Sequence, residues 1–399
     1  MLSSSAFLDA FEPISLQELK EVIDNLKPSF CSSDIIHPKF LKLIIDSIRP
    51  GLLSLINKCL QTGSVPADFN FRPISVLPFI SKVLEKIVLN QLQHFLTSNS
   101  IYEVFQSGFK SAHSTESALL RVLNDIYLST DSGDSVVLIL LDLSAAFDTI
   151  DHSILLSRLE SWVGLKANAL KWFQSYLSDR RFLVKLGNFF SSPAPLTCGI
   201  PQGSILAPSL FSLYMLPLGS ILRKHGVSFH FYADDTQIYL PVKKNNSTAI
   251  TSLLQCLEEV KLWLAQNFLS LNEDKTEVIV FGPNDNSQCI SPELDSLSVF
   301  RSSRVKNLGI TIVRHISSVI GSSFYQLRLL SKIKNFLTPK TLEMAVHAFV
   351  TSRLDYCNSL YCGISNRDVT ILTISRYRGG KRVSISSWLG YNIKRTGVR

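Results

Sequence analysis

The sequence predicts an α+β fold. Three observations carry that reading. Amphipathic helical stripes open the chain and return beyond Ser317. Val136–Leu141 is a short, branched, continuous apolar run, the pattern of a strand buried on both faces. Ser228–Tyr232 and Gln237–Leu240 are two β-rich arms around a polar turn, the pattern of a hairpin.

Each element follows from local signals. Ser15-Leu-Gln-Glu18 is a capping box, and Leu16, Leu19, Val22, Ile23 and Leu26 form the stripe of the helix it opens, which Pro28 stops. A second helix is expected from about Lys39 to Ser47, before Pro50, and a third over Leu52–Leu60, ending at Gly63. A loop from Gly63 to Pro78 leads into a strongly amphipathic helix, Ser81–Leu96. The polar loop Gln106–Lys110 follows, then a helix capped by Ser114 or Thr115 and running to Leu128. After the strand at Val136–Leu141 come a turn over Leu143–Asp148 and helices at Ser153–Glu160 and Lys166–Leu177. A hairpin around Gly187 is expected between Arg181 and Cys198. The tight loop Gly199–Ser204 feeds one long apolar helix, Ile205–Leu222. Beyond the hairpin lie a helix at Thr248–Phe268, a loop over Leu269–Thr276, strands at Glu277–Phe281 and Val305–Ile312, and helices at Phe324–Phe336 and from Thr338-Pro339 to Leu354.

Composition sets the bounds. A chain of 399 residues, 46% hydrophobic, buries a large core and exceeds one ordinary compact domain. Met1–Ala10 lacks a basic start, so an intracellular location without a signal peptide is expected. The seven scattered cysteines form no C-x-x-C pair and are expected to be free thiols. Ile205–Leu222 is nearly long enough to span a bilayer, but Pro208, Pro217 and three serines make it a buried helix; no membrane association is expected. Of the net charge of +8, seven units sit in Arg376–Arg399, which has no acid and no periodicity. Any nucleic-acid channel in the body is therefore a local basic patch.

Three carboxylates stand out. Asp142 ends the buried strand, and Asp234 and Asp235 sit side by side at the hairpin turn. Buried acids cost free energy unless a cation holds them. If strand and hairpin neighbour each other in one sheet, the three converge into a cluster of hard oxygen ligands suited to Mg2+ (two ions) and in-line phosphoryl displacement. Asp148 and Asp151 read instead as a turn residue and a helix cap. No Walker loop, G-x-G-x-x-G or G-x-S-x-G elbow competes.

These motifs resemble a known family. Tyr232-Ala-Asp-Asp235 looks like the catalytic box of reverse transcriptases, Leu141–Asp148 like the first aspartate box, and Gly199-Ile-Pro-Gln-Gly-Ser204 like the box between them. Phe71-Arg-Pro-Ile-Ser75 and Gln106-Ser-Gly-Phe109 resemble the fingers motifs of the LINE-type, non-LTR retrotransposon branch. Leu269–Thr276 and Asn307–Ile310 are similar to its later palm motifs, and Ser352–Leu360 to its thumb region.

The resemblance implies a right-hand polymerase fold of fingers, palm and thumb with an antiparallel palm sheet. It implies RNA template, DNA primer and deoxynucleoside triphosphates as partners; no protein partner is inferable. Asp142 and Asp234 would bind metal directly, with Asp235 as third carboxylate and the Leu143 carbonyl beside them. Phe147 takes the place of the steric gate against a 2′-hydroxyl, Gln202 that of a nucleotide contact, Arg72 that of the triphosphate partner and Lys275 that of the acid for the leaving pyrophosphate. The expected division is a helical extension over 1–63, shortened fingers and palm over 64–312, a helical thumb-like region over 313–365 and a disordered basic tail over 366–399. The family has a longer fingers segment with a basic strand before its Arg-Pro-Ile box, whereas here Val65–Asn70 runs straight into Phe71. That departure motivates an alternative: a polymerase-like relic that binds nucleic acid without catalysis.

Overall fold

The computed structural model describes residues 6–26, 38–65, 79–182, 185–186, 189–201, 203–243, 247–282, 300, 302, 305–312, 325–330, 332–333, 336–357 and 360. Arg72, Gln202, most of the fingers loop and the basic tail lie outside them. The elements form a mixed α and β architecture, as the sequence patterns require.

The capping box at Ser15 is formed, and α1 (Leu16–Asn25) buries Leu19, Val22 and Ile23. Helix α2 (Pro38–Thr62) corrects the expected break, because Pro50 lies inside one continuous helix. Proline there removes one backbone hydrogen bond. Burial of Leu52, Ile56, Cys59 and Leu60 just beyond it offsets that loss. Asn57 also bridges the backbone of Ile14, accepting from its N–H at 2.8 Å and donating to its carbonyl at 3.0 Å. Helix α3 (Phe79–Ser98) buries Val83, Leu84, Ile87, Val88, Leu92 and Leu96, with Glu85 among them. Ser114 caps α4 (Thr115–Asp131).

Strand β1 (Ser135–Leu141) is buried at every position. A four-stranded sheet runs in the order β10 (Glu277–Phe281), β1, β8 (Asp235–Val242), β7 (Ser228–Tyr232). Strands β1 and β10 pair antiparallel, from Val136 opposite Phe281 to Leu140 opposite Glu277. Strand β1, which Asp142 follows, and the hairpin are thus neighbours in one sheet. Two-residue strands β2 (Leu143–Ser144) and β9 (Ser270–Leu271) also pair antiparallel. Helix α5 (His152–Arg158) continues through a π-turn, Leu159–Val163, and α6 spans Ala167–Leu177. The hairpin around residue 187 forms as β4 (Lys185–Leu186) on β5 (Phe189–Phe190), inside the β3 (Arg181–Phe182) and β6 (Ala194–Pro195) pair.

Two further expectations are corrected. The apolar run after Ser204 is two helices, α7 (Ala207–Tyr214) and α8 (Leu216–Lys224), not one. Pro217 lacks an N–H and its ring clashes with the preceding turn, so the chain bends at Met215 and restarts with proline in the first turn of α8. No helix among the described residues is long and apolar enough to cross a membrane. Val305–Ile312 is a tight hairpin, β11 (Lys306–Asn307) and β12 (Ile310–Thr311), rather than one strand. Its turn holds Leu308 at φ +44° and Gly309 at φ +85°, the pair of left-handed residues of a type I′ hairpin turn.

Contacts group the chain into two units. The first takes Met1–Phe109, Leu141–Thr236 and Thr251–Lys275. Its centre includes an aromatic cluster in which Trp172 stacks on Tyr176 at 5.3 Å and meets Phe11 and Phe173 edge-on. The second takes Lys110–Leu140, Gln237–Ile250 and Thr276–Arg399. Its core packs α4 residues Leu119, Val122 and Ile126 on Val136, Leu138 and Leu140 of β1, with Ile279, Val305, Ile310 and Ile312.

Candidate active site

The candidate site lies in the first unit, where β1 ends and the hairpin turns. Ala233 and Asp234 form the two-residue turn between β7 and β8, and Asp235 opens β8. Ala233 adopts φ +59°, the backbone sign a tight hairpin turn demands at its first central residue. Asp142 follows β1 directly, and its side chain is 25% exposed. The Asp235 carboxyl is pushed up to about 6, first by burial, then by the charges of Asp234 and Asp142, with Lys275 opposing. Three carboxylates of the sequence reading therefore feel one another, as convergence at neighbouring strand ends requires.

Lys275 reaches the same place from a distant part of the chain. Pairing of β2 with β9 and a hydrogen bond from Asn272 N to the Asp142 carbonyl, 2.8 Å, dock the Leu269–Lys275 loop beside the strand end. Lys275 Nζ then lies 3.3 Å from Asp142 Oδ2. The Leu143 side chain is buried, and its residue pairs with Leu271. The Phe147 ring stacks on Phe211 at 4.8 Å, so its position is fixed by core packing.

The Gly199 loop is laced to this segment. Gly199 N donates to the Ile150 carbonyl at 2.7 Å and Ile200 N to that of Phe147 at 2.8 Å. His152 Nε2 donates to the Gly199 carbonyl at 2.8 Å. Gly199 sits at φ +84°, and a Cβ there would come within 2.7 Å of the Asp148 carbonyl oxygen. Asp151 caps α5 through Ile154 N, the role its position implied. The structure thus brings Asp142, Asp234, Asp235, Lys275, Leu143 and Phe147 into one unit; Arg72 and Gln202 lie outside the described residues.

Sequence reasoning missed two supporting residues. Glu85 is fully buried on α3, and its carboxylate accepts from Ser204 Oγ at 2.8 Å and Ile205 N at 2.7 Å. Ser204 Oγ in turn accepts from the N–H groups of Leu206 and Ala207, so acid and hydroxyl together satisfy the start of α7. Burial raises the Glu85 carboxyl despite those donors. The available signal was an acid inside the apolar stripe of α3. The other is Gln106, placed in a fingers motif by resemblance but given no role there; its side chain bonds to the Ala233 backbone.

Among the described residues no three of His, Cys, Asp and Glu stand together at metal-binding spacing. The donor set itself is of hard oxygens, which fits magnesium, an ion that takes one or two carboxylates and completes its shell with water and phosphate.

The chain is 26% identical over 329 residues to an RNA-directed DNA polymerase from mobile element jockey of Drosophila melanogaster, covering 76% of this chain and 36% of that protein. It is 30% identical over 254 residues to a probable RNA-directed DNA polymerase from transposon BS of the same species, covering 62% and 28%. A third, from transposon X-element, is 34% identical over 164 residues, covering 41% and 18%. The chain thus spans between 18% and 36% of the length of these relatives. A solved apo telomerase from Candida Tropicalis aligns at TM-score 0.41 and 14% identity, over 57% of this chain and 42% of that one. The profile of the reverse transcriptase (RNA-dependent DNA polymerase) family matches residues 67–312, and the chain belongs to that family.

Proposed function

We propose that this chain carries the polymerising centre of a LINE-type, non-LTR retrotransposon reverse transcriptase. It extends a DNA 3′-hydroxyl on an RNA template with deoxynucleoside triphosphates. The observation that carries the reading is that β1, which Asp142 follows, neighbours β8, which Asp235 opens, in one sheet; burial first, then the charges of Asp234 and Asp142, push the Asp235 carboxyl up. Residues 64–312 supply fingers and palm in this reading, and 313–365 the thumb.

Two magnesium ions bound by the three aspartates would supply charge stabilisation at the attacking and leaving oxygens. The chain's own groups do the rest. Asp142 and Asp234 hold the metal side of the site, and Asp235 and the Leu143 carbonyl border it. Lys275 carries a proton at Nζ for the departing pyrophosphate. The Phe147 ring, which stacks on Phe211, acts as the steric gate against a ribose 2′-hydroxyl. Arg72 and Gln202 contact the incoming nucleotide, the first with the planar fork that suits phosphate.

The test is primer extension by the purified chain on a primed RNA template with magnesium and deoxynucleotides. DNA synthesis that Asp234→Asn abolishes supports the reading; a wild-type chain that makes no DNA refutes it. The abrupt junction of Asn70 with Phe71 favours one alternative, a relic that only binds nucleic acid. That reading requires salt-sensitive RNA binding that survives Asp142→Asn, with no synthesis by either form.

A further inference from the structure

We infer that Gln106, with Gly108, is a positioning residue that sets the Ala233–Asp234 turn and through it the divalent-cation affinity of Asp234 and Asp235. The inference rests on the proposed metal reading of those carboxylates.

Four observations carry it. Gln106 is buried, and its Oε1 accepts from Ala233 N at 3.1 Å and Gly108 N at 2.7 Å. Two N–H donors facing one atom fix which end of the amide is oxygen. Its Nε2 donates to the Ala233 carbonyl at 3.5 Å, so one side chain holds both polar groups of the first turn residue. The flanking backbone repeats the grip, with Phe231 N on the Phe105 carbonyl at 2.8 Å and Ser107 N on the Phe231 carbonyl at 3.0 Å. Finally, Gly108 lies so close that an added Cβ would stand 2.1 Å from Ala233 N.

The physical need is plain. Ala233 is an L-residue in the left-handed region, a conformation that persists only where its surroundings over-determine it. The next two residues are carboxylates whose mutual repulsion favours opening the turn. Gln106 answers both, by substituting side-chain hydrogen bonds for the ladder bonds that the turn cannot make. Groups that orient a metal's carboxylate ligands from behind tune affinity without touching the ion.

The test is Mn2+ binding to the full chain, read from the free-ion electron paramagnetic resonance signal, with no substrate present. Wild type binds, Asp234→Asn loses the site, and Gln106→Met and Gly108→Ala each weaken binding by about tenfold or more. Gly108→Ala disturbs the turn without altering the glutamine, so the two variants decide the matter even where one folds poorly. Asn57→Ala is the matched control, since Asn57 makes the same two-ended grip on Ile14 backbone. It lowers the melting temperature and keeps wild-type affinity. Equal weakening in Asn57→Ala, or wild-type affinity in both Gln106→Met and Gly108→Ala, overturns the inference and leaves the metal reading standing. Absence of binding by wild type overturns the metal reading itself, and this inference with it.

Discussion

Replacing Glu85 separates charge from hydrogen bonding inside the protein. In Glu85→Ala, Ser204 Oγ and Ile205 N lose an acceptor that is itself buried. Each group left unsatisfied costs about 1–3 kcal/mol, so the alanine variant should lose roughly 2–6 kcal/mol. Glu85→Gln keeps an acceptor oxygen for both donors and turns its amide toward the Tyr176 hydroxyl, which Glu85 Oε1 meets at 3.4 Å. It should lie within about 1 kcal/mol of wild type at pH 7. The pH response gives the sharper reading. Burial raises the Glu85 carboxyl above its ordinary 4.5, so the folded state binds this proton more tightly than the unfolded chain. Its contribution to stability is therefore fully present below about 4.5 and is lost as pH rises through the raised folded value. The glutamine variant should lack that decline. Urea denaturation followed by circular dichroism, repeated from pH 5 to 8, measures both effects. An unchanged pH slope in Glu85→Gln, or a midpoint as low as that of Glu85→Ala, would refute the reasoning.

Two more outcomes follow from the geometry. Gly199→Ala forces a Cβ to within 2.7 Å of the Asp148 carbonyl oxygen at φ +84°; it should destabilise by about 1–3 kcal/mol and reduce primer extension, measured on the same protein. Tyr239→Phe removes the 2.6 Å hydrogen bond to Asp125 Oδ2 in the second unit; it should cost about 1–2 kcal/mol in urea and leave Mn2+ affinity unchanged.

Much of this was legible in the sequence because the signals are local. Capping chemistry at Ser15, Ser114 and Thr338 placed three helix starts. An acid ending an all-apolar strand and a paired acid at a hairpin turn located the candidate site. The misreadings share a cause. Pro50 was given the power to end a helix that burial of its far half continues, while Pro217 broke a run whose hydrophobicity alone looks seamless. Asn307–Ile310 alternates like a strand, and only the left-handed Leu308 and Gly309 reveal a turn. The approach of Lys275 to Asp142 was legible only as a resemblance, since 133 residues separate them. The grip of Gln106 on Ala233 spans 127 residues, and the motif that contains Gln106 does not disclose it.

The interleaving of the two units bears on biogenesis. The first unit is complete only when Thr251–Lys275 has been made, although its opening segment ends at Phe109. The second begins at Lys110 and gains β10 only after Thr276. Neither is a contiguous stretch that a ribosome could release and fold whole ahead of the rest. Deletion at one end harms both: a fragment ending at Thr236 lacks β9 and Lys275 from one unit and β10 from the other.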